Sequence, residues 1–344
     1  GYSSAASDVY NRQVTLLGGG AFKDCLSLES VDIRANVSVL DEYIFSYCSN
    51  LKDVKLPATL TRIAPRAFYD CSSLEYIKIP DAVTEIESET FWGCVNLKGI
   101  SLSADLKTIG FSSFKYCRTL KNLDCPASLT TISQYAFAEC TSLETVNFGE
   151  SLSVIDDHAF EGCSALKGVE FPSALMKIGN SAFYGCSLIK NIDLPASINT
   201  VRAYAFLSCT ALETVSIHSG SYLHFGESVF SGCPNISVVN CYNAKPTNGY
   251  PSLFSKNVYE SASLNVPAGS TSLYKVTMPW YNFVSINELG CYDAVLDADD
   301  AIDFNAPLEV FTLNGSKAGD TLTGLAAGTY IIRQNSRTVK YIVR

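Results

Sequence analysis

A 23-residue repeat marked by cysteine runs through most of this chain. Of thirteen cysteines, ten follow one another at eight intervals of 23 residues and a last interval of 24. A phenylalanine stands three positions before each of them, and leucine or isoleucine stands three positions after. A period of this length over so many copies is the signature of a solenoid built from stacked repeats. The ten positions are Cys25, Cys48, Cys71, Cys94, Cys117, Cys140, Cys163, Cys186, Cys209 and Cys233.

Within each repeat, the apolar positions predict one short strand and one turn. The sixth and eighth residues after the cysteine are apolar in every copy, as in Ile77 and Ile79. This alternation is typical of a strand with one buried face. A proline such as Pro80 ends the strand in many copies, because it lacks the amide donor of the ladder. The following segment, such as residues 133–137, predicts a helical or 3₁₀ turn that points its phenylalanine inward.

Stacking of such repeats places equivalent strands side by side in one parallel sheet, as in leucine-rich repeats. The pattern "LxxIxIPxxVxxIxxxxFxxC" resembles the repeat of the BspA-like bacterial surface proteins of the Bacteroidetes type over roughly residues 14–241. We therefore expect an α/β repeat solenoid with a 23-residue period and a parallel β-sheet on its concave face. A small antiparallel β-domain is expected to follow it.

Three regions are predicted along the chain. Residues 1–241 form the solenoid, with about ten turns and an incomplete first turn, and residues 242–289 form an irregular last turn and cap. Residues 290–344 form the β-domain, in which Asn314-Gly315 and Asn335-Ser336 predict hairpin turns. The end of this domain is similar to the C-terminal sorting domains of exported Bacteroidetes proteins. The open end of the solenoid core is expected to be covered by Tyr274, Trp280, Phe283 and Ile286.

The repeated cysteines are predicted to be buried free thiols. Each stands alone in its turn, whereas metal sites need ligands that converge on one point. Disulfides between neighbouring turns are the alternative, but stacked side chains point the same way and keep their Cβ atoms too far apart. Cys125 and Cys241 occupy inward strand positions and are expected to be buried, while Cys291 stands outside the pattern.

The remaining candidates for chemistry are sparse. His158 is expected to be solvated, and His218 and His224 to pack in the loop of an irregular repeat. Nothing singles out a nucleophile with a neighbouring base or a pair of carboxylates, so we expect a non-enzymatic protein without cofactor or metal. The net charge of −9 disfavours nucleic acid as a partner. No run of about 18 apolar residues predicts a membrane span.

Binding is expected on the variable outward positions. On the predicted sheet, the fifth and seventh residues after the cysteine carry mostly small polar groups, which suits a protein ligand better than a glycan. The resemblance implies a secreted or cell-surface adhesin for host extracellular-matrix proteins or other bacterial surface proteins. The alternative is a glycan-binding accessory protein that uses aromatic residues near the phenylalanine turn. The candidate residues are Asp53, Lys55, Tyr76, Lys78, Asn122, Asp124 and Asn147 on the sheet, and Tyr69 and Trp92 on the flank.

Overall fold

The chain divides into two compact units, Gly1–Asn287 and Glu288–Arg344. The computed structural model describes residues 17–34, 36–218, 223–289, 309–312, 317–319, 328–334 and 337–343. Several of the expectations above concern residues outside these ranges: the start of the first turn, Cys291, Asn314-Gly315 and Asn335-Ser336.

Most repeats contribute two short strands to the first unit. One lies at the predicted position, five to seven residues after the cysteine. A second, unpredicted strand lies about fourteen and fifteen residues after the same cysteine. In chain order the strands are β1 (Ser30–Asp32), β2 (Val39–Leu40), β3 (Asp53–Lys55), β4 (Arg62–Ile63), β5 (Tyr76–Lys78), β6 (Glu85–Ile86), β7 (Gly99–Ser101), β8 (Thr108–Ile109), β9 (Asn122–Asp124), β10 (Thr131–Ile132), β11 (Thr145–Asn147), β12 (Val154–Ile155), β13 (Lys177–Ile178), β14 (Asn191–Leu194), β15 (Thr200–Val201), β16 (Thr214–Ile217), β17 (His224–Phe225) and β18 (Val238–Cys241).

The two sets of strands enclose the core between two parallel sheets. The predicted strands form what we call the front sheet, in the groups β1-β3-β5-β7, β9-β11 and β14-β16-β18, while the unpredicted ones form the back sheet, in the groups β2-β4 and β6-β8-β10-β12-β13-β15-β17. Equivalent residues pair directly, as Asp53 with Tyr76. The sequence period is therefore the physical repeat. Leu60 and Ile63 are fully buried, which explains the apolar positions after the proline.

The segment around each phenylalanine differs from its prediction. Residues five positions and one position before each repeat cysteine have positive φ, as Tyr135 (58°) and Glu139 (63°) do. A left-handed residue cannot continue a right-handed helix, so the segment forms successive turns. Alternate amides bond the next repeat, as the Phe137 amide does to the Ala159 carbonyl at 2.8 Å, and the amides between them bond the carbonyl three residues earlier, as Ala138 does to Tyr135 at 3.1 Å. The α/β label therefore needs correction: the described repeats form a β-solenoid, and the helices of the described chain lie in the cap.

Phenylalanine rings form a continuous stack through the core. Consecutive rings from Phe22 to Phe254 have centroids 5.1–5.4 Å apart and lie within 17° of parallel. The sequence pattern ended at Phe230, so Phe254 extends the stack by one ring. Stacked aromatic pairs add to the free energy gained by burial alone. One repeat cannot bury its ring by itself, and the stack explains why the repeats stabilise one another.

The repeat cysteines lie beside this stack as free thiols, as predicted, and all of them are buried except Cys25, which is half-buried. From Cys48 to Cys233, each thiol donates a hydrogen bond of 3.0–3.3 Å to the carbonyl of the phenylalanine in the preceding repeat. A thiol thus fills a small apolar space and still satisfies its donor. Cys241 is buried, whereas Cys125, also predicted to be buried, is only half-buried.

The cap closes the C-terminal end of this core. It contains α1 (Lys256–Ser261), β19 (Ser263–Val266), α2 (Thr271–Tyr274), a 3₁₀ turn (Trp280–Asn282) and β20 (Ser285–Glu288). Strand β19 extends the front sheet beyond β18, as the eleventh repeat was predicted to do. Tyr274, Trp280 and Phe283 are buried and Ile286 is partly buried against the core, which confirms the predicted cover.

The second unit contains a four-stranded antiparallel sheet. Its strands are β21 (Glu309–Thr312), β22 (Lys317–Gly319), β23 (Gly328–Gln334) and β24 (Arg337–Val343), in the order β22-β21-β23-β24. Each predicted hairpin turn falls between two paired strands, at residues outside the described ranges.

One buried hydroxyl predicts a stabilising substitution. Ser113 Oγ is fully buried and has no hydrogen-bond partner among the described residues, whereas most other repeats carry alanine at this position. We expect Ser113→Ala to raise the free energy of unfolding by about 1–2 kcal/mol, because the uncompensated cost of burying the hydroxyl disappears.

Urea unfolding checks this expectation. Ser46→Ala is the control, because the Ser46 hydroxyl donates a 2.6 Å bond to the Arg66 carbonyl and its loss should destabilise the protein. Equal destabilisation by both changes would contradict the interpretation of Ser113.

Candidate binding surface on the front sheet

The described front sheet holds a hollow of about 910 Å³ over its N-terminal strands. Strands β3, β5 and β7 form its floor, and the turn residues after β3 and β5 form one side. Four of the predicted site residues meet here: Asp53, Lys55, Tyr76 and Lys78. The hollow is also lined by Leu56, Ala58, Pro80, Asp81, Ala82, Gly99, Ile100 and Ser101, which were not predicted.

The tyrosine in this hollow is the most exposed aromatic side chain of the described front sheet. Tyr76 is 59% exposed and stands beside Gly99, its pairing partner on β7. A Cβ atom placed on Gly99 would lie 3.3 Å from two ring carbons of Tyr76. The glycine therefore gives the ring room to lie close to the neighbouring strand. A tyrosine followed 23 residues later by glycine is the sequence signal that could have identified this arrangement.

Two lysines of the hollow differ from the other lysines of the front sheet. Three positions closer to the cysteine, a row of mixed charges forms ion pairs between turns: Lys52–Glu29 at 3.7 Å, Lys98–Glu75 at 2.8 Å, Lys167–Glu144 at 2.5 Å and Lys190–Glu213 at 3.4 Å. The hydrogen bond from Lys98 to Glu75 raises the pKa of that lysine. Lys55 and Lys78 are exposed, and neither has an ion-pair partner among the described residues.

The three predicted site residues on β9 and β11 are arranged differently. Asn147 Nδ2 donates to Asp124 Oδ1 at 2.5 Å, and Thr145 Oγ1 donates to Asn122 Oδ1 at 2.7 Å. These side chains are exposed, but they bond one another across the turn. A ligand that binds these side chains would have to compete with their hydrogen bonds. The two lysines of the hollow have no such partner among the described residues.

The aromatic residues on the flank form a second cluster. Tyr69 and Trp92 are half-buried and stack on each other with centroids 4.5 Å apart and an interplanar angle of 6°. Tyr47 lies on the far side of Tyr69 at 5.4 Å, and Tyr116 lies on the far side of Trp92 at 5.3 Å. Burial raises the pKa of Tyr69. Because both candidate rings have ring neighbours on either side, little of their faces remains for stacking on a sugar.

Two histidines make side-chain contacts, whereas His224 is exposed on strand β17 and does not pack in a loop as predicted. His158 is not freely solvated as predicted: its ring stacks on Tyr135 at 4.5 Å, and its Nδ1 lies 2.9 Å from Glu161 Oε2. His218 packs on Tyr242 with ring centroids 4.2 Å apart and lies 2.8 Å from Asp193. Among the described residues, no group of three or more His, Cys, Asp or Glu side chains could hold a metal ion.

The described residues also contain no helix that is long and apolar enough to cross a bilayer.

Comparison with known proteins matches the repeat itself. The sequence model of the family described as "BspA type Leucine rich repeat region" matches residues 15–144 and 130–260, with six copies of its unit. No curated protein sequence matches the chain.

Solved structures of leucine-rich repeat proteins from several bacteria are similar to this chain. A leucine-rich repeat protein from Bacteroides ovatus is 28% identical, with a TM-score of 0.50, and the match covers 72% of this chain and 73% of that one. The leucine-rich repeat protein of T. pallidum is 29% identical, with a TM-score of 0.44, over 47% of this chain and 77% of that one. A leucine rich cell surface protein from Faecalibacterium prausnitzii is 18% identical, with a TM-score of 0.45, over 77% and 88% of the two chains.

Proposed function

This chain belongs to the BspA-type leucine-rich repeat family, and we propose on that basis that it is a non-enzymatic binding protein of the cell surface or extracellular space. Its ligand is a protein, and the front sheet of the solenoid is the surface that binds it. The candidate partners are host extracellular-matrix proteins and surface proteins of other bacteria, so the role is that of an adhesin.

The observation that carries this proposal is the hollow of about 910 Å³ on the front sheet. Its floor is held by inward residues such as Val54 and Ile77, which are at most 5% exposed, so the surface above them is rigid. A rigid surface loses little conformational entropy when a ligand binds. Outward residues differ from repeat to repeat, and this variation is what lets one surface recognise one partner.

The location is supported by the solved relatives. The F. prausnitzii protein is described as a cell surface protein. The solved structure of a pneumococcal vaccine antigen also matches this chain. Neither likeness identifies a ligand, which is why the first experiment is a binding screen.

The screen measures binding of the intact chain to immobilised matrix proteins and to whole bacterial cells. We expect binding to at least one of them, with at least about tenfold loss on Tyr76→Ala or Asn191→Arg, two exposed positions of the front sheet. Thr84→Arg and Asn199→Arg, exposed beside the back sheet, serve as controls and should leave binding unchanged. Equal loss from both faces, or no binding at all, would contradict the proposal.

A glycan-binding role through Tyr69 and Trp92 is the alternative outcome of the same screen. Signal on a glycan array that disappears in Trp92→Ala but persists in Tyr76→Ala would favour it over a protein ligand.

A further inference from the structure

The two free lysines of the hollow lie side by side. Lys55 and Lys78 occupy the same position in neighbouring repeats, on the paired strands β3 and β5, so their backbones lie about 4.8 Å apart. Like charges at adjacent positions of a sheet repel each other. They are the only lysines or arginines in this row of the described front sheet, and neither forms an ion pair with a described carboxylate, although Asp32 on β1 is the strand-pairing partner of Lys55. An anion supplied from outside the protein would relieve the repulsion.

The surrounding carboxylates limit what this anion can be. Asp53 lies two residues before Lys55 on the same face of β3, and Asp81 lines the opposite side of the hollow. At the same position of the neighbouring repeats, Asp32 comes directly before the two lysines, and Ser101 and then Asp124 come after them. A polymer with continuous negative charge would meet these carboxylates on every side. A ligand with one or two localised carboxylates would meet only the lysines.

The rest of the lining fits an apolar side chain. Tyr76 is 59% exposed at one end of the hollow, and Ile100 on the next strand is partly exposed. Leu56, Ala58 and Ala82 continue this apolar lining past the lysines. Aromatic side chains such as tyrosine are enriched at the centre of protein interfaces.

The size of the hollow fits a short stretch of peptide. Its volume of about 910 Å³ lies in the range of sites that hold drug-sized ligands. It spans three neighbouring strands, which is about 10 Å at the usual strand spacing. An extended chain of about three residues covers that distance.

From these features we propose that the hollow binds an extended segment of the partner protein that carries an aspartate or glutamate over Lys55 and Lys78 and an apolar or aromatic side chain against Tyr76 and Ile100. This inference rests on the proposed function and specifies the chemistry of the partner. The acidic group gives the segment its position, and the apolar side chain gives it contact area.

The test selects ligands without knowledge of the natural partner. A random twelve-residue peptide library displayed on phage is panned against the intact chain, and the enriched peptides are measured by fluorescence anisotropy. We expect the peptides to share an acidic residue next to an apolar or aromatic one. Replacing that acid by its amide should weaken binding at least about tenfold, the loss of one charge-assisted hydrogen bond.

Matched protein variants locate the site. The double variant Lys55→Glu and Lys78→Glu should weaken binding of the same peptides at least about tenfold, and Tyr76→Ala should also weaken it. The control, Lys107→Glu with Lys245→Glu, makes the same change in net charge at exposed positions outside the hollow and should leave the affinity unchanged. Circular dichroism checks that each variant retains the fold.

Three results would overturn the inference. The first is a set of enriched peptides that share no acidic residue, and the second is a control variant that weakens binding as much as the hollow variant does. The third is full competition between heparin and the peptides, which would indicate recognition of a polyanion. Peptides that lose affinity on Asn191→Arg but not on the hollow variant would refute the hollow and still support a protein ligand on the front sheet. Failure of all peptides, matrix proteins and cells to bind would refute both proposals.

Discussion

Above pH 9, the free energy of unfolding of this protein should fall steeply. An ordinary thiol has a pKa of 9.0, and burial raises the pKa to about 12 in Cys48, Cys125 and Cys241. A hydrogen bond with Cys233, together with burial, raises the pKa of Cys209. Burial raises it well above the ordinary value in Cys71, Cys94, Cys117, Cys140, Cys163 and Cys186.

The free energy of unfolding falls with pH because the folded state holds these protons to a higher pH than the unfolded state does. Below pH 9 the thiols are protonated in both states, so their contribution to stability is fully present. Between pH 9 and about 12 the unfolded chain releases these protons while the folded chain keeps them, so stability is lost as the pH rises. Each fully buried thiol contributes about 1.4 kcal/mol per pH unit in this range. Together the nine of these thiols that are fully buried, all except Cys125, should remove on the order of 10 kcal/mol by pH 10, comparable with the total stability of many domains.

Urea unfolding between pH 7 and pH 10.5, with a reductant present, measures this effect. The triple variant Cys94→Ala, Cys117→Ala and Cys140→Ala has three fewer buried thiols. Its free energy of unfolding at pH 7 should be lower. Above pH 9 that free energy should fall less steeply with pH, by the amount that corresponds to about three fewer protons released on unfolding. A stability that stays constant up to pH 10.5, or an unchanged slope in the variant, would contradict the prediction.

Removing one ring from the phenylalanine stack should produce the second large effect. Phe114 is fully buried and stacks on Phe91 at 5.2 Å and on Phe137 at 5.1 Å. We expect Phe114→Ala to lower the free energy of unfolding by about 3–5 kcal/mol, because it removes buried apolar surface and leaves a cavity between two repeats. The loss interrupts the contact on which neighbouring repeats depend, so the repeats on either side should also become less stable.

The same repeat provides the control. Phe111 is 42% exposed and contacts only Tyr135 edge-on among the described rings, with centroids 6.1 Å apart. Phe111→Ala deletes the same side chain three residues away and should cost less than about 1 kcal/mol. Thermal and urea unfolding compare the two variants, and hydrogen exchange shows whether protection falls in the adjacent repeats. Similar losses in both variants would show that the stack is not what holds the repeats together.

The elements that the sequence predicted correctly are those with a strong local pattern. Each front strand is marked by two inward residues separated by one, as Ile77 within β5 and Ile79 directly after it are, and this alternation can be read from one repeat. Back strands such as β4 have two residues, of which only Ile63 points inward, so they show no alternation and were missed. The turn around each phenylalanine was missed for another reason. Its left-handed positions carry Tyr, Arg, Glu, Ser and His as well as Gly, so no residue type marks them.

The candidate site shows the same limit. The sequence correctly placed Lys55, Lys78 and Tyr76 on exposed positions, because side chains alternate along a strand. It could not show that Asn147 bonds Asp124 while Lys55 has no such partner among the described residues. Those contacts join side chains 23 residues apart in sequence and depend on their rotamers and distances.

For this protein, the sequence by itself determined the period, the inward residues, the free thiols and the family resemblance. Each of these depends on a residue type that recurs at one position in every repeat, and recurrence is visible without coordinates. Only the tertiary structure decided that the repeats are all-β, that the phenylalanine segment forms turns, and which outward side chains remain available to a partner. Those properties arise between repeats, where backbone hydrogen bonds and side-chain contacts join residues distant in sequence.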